Sequence, residues 1–311
     1  LLDEVPPGRV TTPGGLAAAL GNPVAARWIG HFLLHHAHDA ACPCHRVVRC
    51  GGAVGPALAG ELGAKIERLR AEGVTVRDAT VDLAVYGFAE FVCDRPLARL
   101  ARLQQSLSAR VRTGPRKRVP RLIGGVDVSY PSPAEGVAAY ALVDAATGEL
   151  IWSATVRRPV RFPYITSYLT FRELPILLDL LAEVRRAGRL APVLLVDGTG
   201  ILHPRHAGIA SHLGVVAGLP TIGLTKKLLC GAVDLAGLRP LESRPVVYQG
   251  HPIGVALRPT AGSRRPLFVS PGHRTDLPFA ERVVRGLLTG FRLPTPIYWA
   301  DRLSRQAASN C

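Results

Sequence analysis

Between residues 121 and 270 the apolar positions change period in blocks. Leu122 to Tyr130 is an apolar run broken by one carboxylate, Asp127, and such a short run predicts a buried strand. Val137–Val143 and Leu150–Val156 flank Asp144-Ala145-Ala146-Thr147-Gly148, which predicts a hairpin. Glu173 opens a helical pattern reaching about Arg186. Pro192–Val196 reads as a buried strand that ends in Asp197-Gly198-Thr199-Gly200. His206–Ala217 predicts a helix, Thr221–Thr225 a strand, and Ile253–Leu257 with Leu267–Ser270 a further strand pair. Strands alternating with helices imply an α/β layer fold around a mixed sheet.

The first part of the chain is patterned differently. Leu16-Ala17-Ala18-Ala19-Leu20 is a short helix ended by Gly21, and Pro23 suits the first turn of the next one. Another helical run extends from Glu61 to Glu72. Leu97, Leu100, Leu103, Leu107 and Val111 recur at helical spacing in a basic stretch that ends in Arg116-Lys117-Arg118. This predicts a basic amphipathic helix that docks on the second domain, followed by a Gly114-Pro115 break. The expected domains are residues 1–92 and 93–311, with the basic helix and linker at 94–121. A length of 311 residues and 48% hydrophobic composition suffice for two cores.

Charge separates the two parts further. Residues 1–92 carry 8 Lys/Arg against 9 Asp/Glu, and residues 93–311 carry 30 against 14. So lopsided a balance points to a polyanion partner and salt-sensitive binding. No apolar run approaches the ~20 residues that span a bilayer, and Leu1-Leu2-Asp3-Glu4 does not begin a secretory signal. Six cysteines without a small-scaffold disulfide pattern fit a reducing, cytoplasmic setting. The chain has no Met, even at position 1, as expected of a fragment or a trimmed start.

Two groups of residues carry candidate chemistry. In Pro43-Cys44-His45-Arg46-Val47-Val48 a thiol stands beside an imidazole and a guanidinium. The thiolate is the nucleophile, and a neighbouring base or positive charge favours it. For an arbitrary Cys-His pair, a buried structural role is the commoner outcome. Cys42, Cys44, His45 and Cys50 lack the Cys-x-x-Cys spacing of a zinc knuckle, so no zinc is expected. The second group is Asp127, Asp197, Glu173 and His273. A carboxylate inside an apolar strand is costly without a compensating cation. Several together suit Mg²⁺, with Mn²⁺ as a substitute, in phosphodiester hydrolysis. Lys226 stands at its strand end as a cation for the attacked phosphate.

The first motif extends into a family resemblance. Residues 5–73, including Val5-Pro6-Pro7-Gly8-Arg9-Val10-Thr11-Thr12 and Asn22-Pro23-Val24-Ala25-Ala26-Arg27-Trp28-Ile29-Gly30, resemble the C-terminal domain of the O6-alkylguanine-DNA alkyltransferases. The resemblance implies a small helix-turn-helix, winged-helix-like domain. It also implies that Cys44 is the alkyl acceptor, with His45 beside it and Glu72 orienting the histidine. Lys65 would line the guanine pocket, and Arg27 would fill the gap left by a flipped-out base. Pro13 replaces the family's tyrosine, His36 replaces its asparagine, and the family's N-terminal subdomain is expected to be missing.

Residues 97–305 resemble endonuclease V. The resemblance rests on Gly125-Val126-Asp127-Val128-Ser129-Tyr130, Pro163-Tyr164-Ile165, Phe171-Arg172-Glu173, Val196-Asp197-Gly198, His203-Pro204-Arg205, Gly208-Ile209-Ala210-Ser211-His212 and Phe268-Val269-Ser270-Pro271-Gly272-His273. It implies an RNase H-like fold and a Mg²⁺-dependent nick one bond beyond the nearest 3′ phosphodiester of deoxyinosine. Asp127, Glu173, Asp197 and His273 would form the metal and catalytic cluster, with Lys226 in support. Pro163, Tyr164 and Ile165 would wedge the strands apart at the lesion, with Thr166 where the family has a second proline. Gly198 and Gly200 would let a base approach the backbone, and His203 would line the pocket or contact phosphate. The expected partners are DNA carrying deoxyinosine or O6-alkylguanine, with no membrane and no protein partner inferred. Three alternatives stay open: a first domain that only senses alkylated DNA, a nuclease that prefers inosine in RNA, and a general metal nuclease without lesion choice.

Overall fold

A computed structural model describes residues 1–37, 41–55 and 62–309. The chain divides into two compact units, Leu1–Arg102 and Leu103–Cys311. The division falls inside a helix, Pro96–Ser108, rather than ahead of it at residue 93.

In the first unit, helix α1 (Pro13–Ala19) starts where Thr12 Oγ1 accepts the Gly15 amide at 3.0 Å, with Pro13 in its first turn. Gly21 follows at φ +92°, and a Cβ there would strike Ala98 at 2.8 Å. Asn22 Oδ1 then accepts the Val24 amide, and a single 3-10 turn, Pro23–Ala25, leads into α2 (Ala26–His35). After α3 (Leu62–Ala71), strands β1 (Val76–Arg77) and β2 (Thr80–Val81) pair antiparallel. They are joined by Asp78 and Ala79, both at positive φ. Glu61, where the helical run of α3 was expected to begin, lies outside the described residues. Helix α4 (Leu83–Tyr86) follows. Val10, Val48, Val54, Leu69, Val74, Val76 and Val81 make the core. This is the expected helix-turn-helix followed by a small wing.

The amphipathic helix α5 (Pro96–Ser108) corrects one expectation. Its opening turn belongs to the first unit, where Leu97 is buried and its amide bonds Leu20 O at 2.9 Å. From Leu103 onward it belongs to the second, where Gln104 and Leu107 are buried. Leu103 itself is exposed.

The second unit is built on an eight-stranded sheet in the order β5-β4-β3-β6-β7-β10-β9-β8. Its strands are β3 (Leu122–Ser132), β4 (Glu135–Asp144), β5 (Leu150–Pro159), β6 (Leu194–Asp197), β7 (Thr221–Thr225), β8 (Ser243–Tyr248), β9 (His251–Leu257) and β10 (Leu267–Pro271). Only the β3–β6 and β6–β7 pairs are parallel, so the mixed sheet is as expected. Four helices accompany it: α6 (Leu169–Arg186), α7 (Ile209–Ala217), α8 (Leu277–Gly286) and α9 (Thr295–Ser309).

Side chains alternate between the faces of a strand, and here the alternation sorts the helices. Leu194 and Val196 of β6 share a core with α6 and α7. Val193 and Leu195 share another with α8 and α9. Helix α6 begins a turn before Glu173, and α7 begins after His206, which stands at φ +51°. No helix among the described residues is long and apolar enough to cross a membrane.

Candidate active sites

Asp127 and Asp197 meet because β3 and β6 run parallel, with Val126 opposite Val196, one residue before each aspartate. Asp127 shares a strand face with Ile123 and Gly125, the face beneath α9. A Cβ on Gly125 would lie 2.3 Å from Pro296 O, so glycine lets the last helix seat closely. From α9, Ser304 Oγ donates to Asp127 Oδ2 at 3.0 Å. Lys226, just past β7, places Nζ 3.0 Å from Asp197 Oδ2 and 3.6 Å from Asp301 Oδ1. Glu173 arrives from α6 on the other face and accepts the Tyr130 hydroxyl at 2.7 Å.

The charges in this centre are poorly compensated. Burial, and then the charge of Asp197, pushes Asp127 up to about 7. Burial also pushes Glu173 to about 8, aided by Asp127 and Asp197 and opposed by the Tyr130 hydrogen bond. Burial works against the Lys226 ammonium, but Asp197, Asp301 and Asp127 outweigh it and raise its affinity for the proton. An all-oxygen donor set with excess negative charge fits a hard divalent cation. Asp127, Asp197, Asp301 and Glu173 are the residues that would hold it.

His273 does not join these acids. Strand β10 runs antiparallel to β7, with Pro271 opposite Ile222, so its end lies beside the start of β7 while Lys226 follows the other end. His273 exchanges hydrogen bonds with Thr221, and its Nδ1 accepts the Arg112 amide at 3.2 Å. Burial, then Arg274, Arg112 and Arg110, lower its proton affinity. Asp301 takes the place expected of His273. Along α9 it is an acid at an ordinary helical position, and nothing local in the sequence marks it.

The glycines and the wedge also differ from expectation. The Gly198 amide bonds Leu224 O at 2.7 Å and the Gly200 amide bonds Ser270 Oγ at 2.9 Å, so both are committed to the fold. A Cβ at Gly200 would meet Pro271 O at 2.0 Å. These are close-packing positions rather than base-reading amides. In the loop before α6, Tyr164 is 63% exposed while Ile165 is 2% exposed. The projecting tip is therefore Tyr164, and Ile165 anchors it. His203 is buried and bonds Ser167 O, so it holds this loop rather than facing solvent.

In the first unit, Cys44 and His45 share a 3-10 turn, Pro43–Arg46. His45 Nε2 lies 2.8 Å from Glu72 Oε1. Arg46 closes on the same carboxylate from Nε and Nη2, and the Gly8 amide adds a bond at 3.3 Å. Burial opposes the carboxylate, but these bonds hold Glu72 down to about 2. Burial lowers His45, against the pull of Glu72. Its Nδ1 is buried without a hydrogen bond of ordinary geometry. The Cys44 thiol meets Cys42 rather than His45; burial and then Cys42 push it up to about 11. Lys65 Nζ is spent on Val47 O at 2.7 Å and Val54 O at 2.8 Å, pinning the core as well as lying near Cys44. Arg27 is exposed on the first turn of α2. Of Cys42, Cys44, His45 and Cys50, His45 is bound to Glu72 and Cys50 is exposed.

Comparison with known proteins agrees with this division. Residues 105–302 match the family model for endonuclease V, and residues 1–74 match that for the 6-O-methylguanine DNA methyltransferase DNA-binding domain. Endonuclease V of Azotobacter vinelandii is 44% identical over 208 residues, 66% of this chain and 92% of that protein. A bifunctional methyltransferase/endonuclease of Picrophilus torridus is 31% identical over 287 residues, 92% of this chain and 88% of its own. Among solved structures, the catalytic domain of human endonuclease V superposes with a TM-score of 0.64 at 33% identity, covering 70% of this chain and 97% of that one. Endonuclease V of Ciona intestinalis, in complex with a 24mer DNA containing an inosine followed by a ribo-adenosine, gives 0.61 at 25% identity over 69% of this chain and 98% of that one. The nuclease unit thus has the RNase H-like fold expected of it. The chain belongs to the endonuclease V family and carries a 6-O-methylguanine DNA methyltransferase DNA-binding domain ahead of the nuclease domain, making it a two-domain DNA repair protein.

Proposed function

We propose that the second unit is a Mg²⁺-dependent endonuclease that nicks DNA on the 3′ side of deoxyinosine, and that the first transfers an alkyl group from O6-alkylguanine to Cys44. The observation that carries the nuclease reading is the gathering of Asp127, Asp197 and Asp301 around one ammonium, Lys226, with Glu173 beside Asp127 and Asp197. A bound Mg²⁺ supplies Lewis acidity toward the attacked phosphate and lowers the pKa of a water. Ser304 orients Asp127, and Tyr130 holds Glu173 in place by its hydroxyl. Lys226, held at a strand end by Asp197 and Asp301, is a preorganised cation for negative charge that builds on a phosphate oxygen. Tyr164 presents its ring to solvent and can stack where a base has been displaced.

In the first unit, a Cys44 thiolate would form the S–C bond while the O6–C bond breaks, and guanine leaves with the electron pair. The His45–Glu72 pair is built to hold a proton near that turn. The high proton affinity of Cys44 favours a second reading, in which this unit binds alkylated DNA without transfer.

The test is nicking of matched duplexes with and without deoxyinosine, and of inosine-containing RNA, at fixed Mg²⁺ and salt. Selective cutting of the deoxyinosine duplex supports the reading; equal cutting of undamaged DNA, or preference for the RNA, overturns its substrate. Incubation with O6-methylguanine DNA, followed by the mass of the Cys44 peptide, tests transfer. A one-methyl gain absent in Cys44→Ser supports it, and tight binding without gain makes the domain a sensor.

A further inference from the structure

His36 and Cys42, which have no part in the nuclease or the His45–Glu72 pair, form a cluster with Cys44, the alkyl acceptor of the reading above. Among the described residues this is the group whose ligand atoms all lie within 4.8 Å of one another. His36 Nδ1 stands 3.2 Å from Phe32 O and so must donate, which turns the lone pair of Nε2 toward Cys42 Sγ at 3.3 Å. The Cys42 thiol donates to that nitrogen, and the Cys44 thiol bonds Cys42 in turn.

We propose that His36, Cys42 and Cys44 supply three ligands to a site for a thiophilic divalent cation of the zinc class. Metal–sulfur bonds of about 2.3 Å and metal–nitrogen bonds of about 2.0 Å need ligand atoms roughly 3.5–3.8 Å apart. The observed cluster is therefore near that spacing. The imidazole already has the arrangement of a metal-bound histidine, with the far nitrogen bonded to a backbone carbonyl. Two thiolates and a neutral imidazole balance a dication, and binding releases both thiol protons. His36 ends α2 and Cys42 precedes the 3-10 turn that carries Cys44, so the metal would tie two backbone segments together. Occupancy would hold Cys44 as a thiolate bound to the cation.

The experiment is a titration of the reduced, metal-free full chain with Cd²⁺ alone, followed by sulfur-to-cadmium charge-transfer absorption in the ultraviolet. The carboxylate centre can take up Cd²⁺ but contributes nothing to that band. One equivalent should saturate it. Cys42→Ser should weaken the apparent affinity at least about 100-fold, the upper range for loss of an outer partner alone. His36→Asn, which keeps both thiols, should weaken it at least about tenfold on the same scale. Metal-free circular dichroism and melting like wild type would show each variant folded, and His36→Asn remains informative should Cys42→Ser fail to fold. No sulfur band in wild type overturns the proposal, as does an unchanged band in Cys42→Ser. So does a Cys42–Cys44 disulfide that forms in air from a reduced protein that takes up no Cd²⁺ at sulfur.

Discussion

His203 donates its Nε2 proton to the carbonyl oxygen of Ser167, 3.0 Å away. The same oxygen receives Gln104 Nε2 at 3.1 Å and Arg205 Nη2 at 2.8 Å. Ser167 has a φ of +65°, a conformation that three donors on one oxygen can hold. Arg205 N donates to Nδ1 of His203 at 3.1 Å, which fixes the tautomer, and burial pushes the ring down to about 4, so it stays neutral. These bonds secure the loop that projects Tyr164. His203→Ala should cost about 1–3 kcal/mol of stability in denaturant unfolding. It should also raise KM for deoxyinosine duplex more than it lowers kcat. Tyr164→Ala should raise KM similarly without the stability loss, and a double variant that adds nothing further would show that the two act together.

The nuclease centre carries more negative charge than its surroundings compensate. Asp127→Asn should therefore abolish nicking, by at least about 10³-fold. The metal-free protein should melt no lower than wild type, because a buried like-charge contact has been removed. A clear fall in melting temperature would mean that Asp127 is chiefly a structural partner of Ser304.

Helix α9 contributes two groups to that centre. Asp301→Asn should lower nicking about 10²-fold or more, while Ser304→Ala, which removes one hydrogen bond to Asp127, should cost roughly tenfold. His273→Ala should instead act through stability, since the residue bonds Thr221 and Arg112. Activity per folded molecule then stays within a few-fold of wild type, as judged by nicking rates normalised to the native fraction.

Glu72 makes the first unit acid-sensitive. Its carboxyl is held down to about 2 in the folded protein against an ordinary value of 4.5. A depressed acid stabilises the fold above its unfolded pKa and loses that contribution as pH falls through its folded pKa. The loss should run between about pH 4.5 and pH 2 and be absent in Glu72→Gln. Amide hydrogen exchange of residues 1–102, followed as pH falls, measures it. At neutral pH, Glu72→Gln should itself loosen that unit by leaving Arg46 without its counter-charge.

Much of this was legible in the chain, for identifiable reasons. Asp127 stood out because an apolar strand tolerates a carboxylate only with compensation. The strand β7 is found as expected, Thr221–Thr225, because a short β-branched and apolar run between turn signals has few alternatives. His273 misled because an ordered motif says nothing of strand direction, and an antiparallel β10 carries it to the wrong end of β7. Asp301 and Ser304 carried no local signal, since an acid and a serine on an amphipathic helix look like surface. His36 and Cys42 belong to different local elements, and Cys-x-Cys is not a familiar metal spacing. The basic helix was read as belonging to one domain because its periodicity is continuous, whereas its first turn is claimed by Leu20.

The bond from Ser304 to Asp127 crosses 177 positions of sequence. A ribosome making this chain from the N terminus would release residues 1–102 with their own core long before α9 emerges. The unit that matches a DNA-binding domain is thus available to fold first. The cutting centre stays incomplete until the helix bearing Asp301 arrives, so an interrupted chain yields a binder of DNA and no active nuclease.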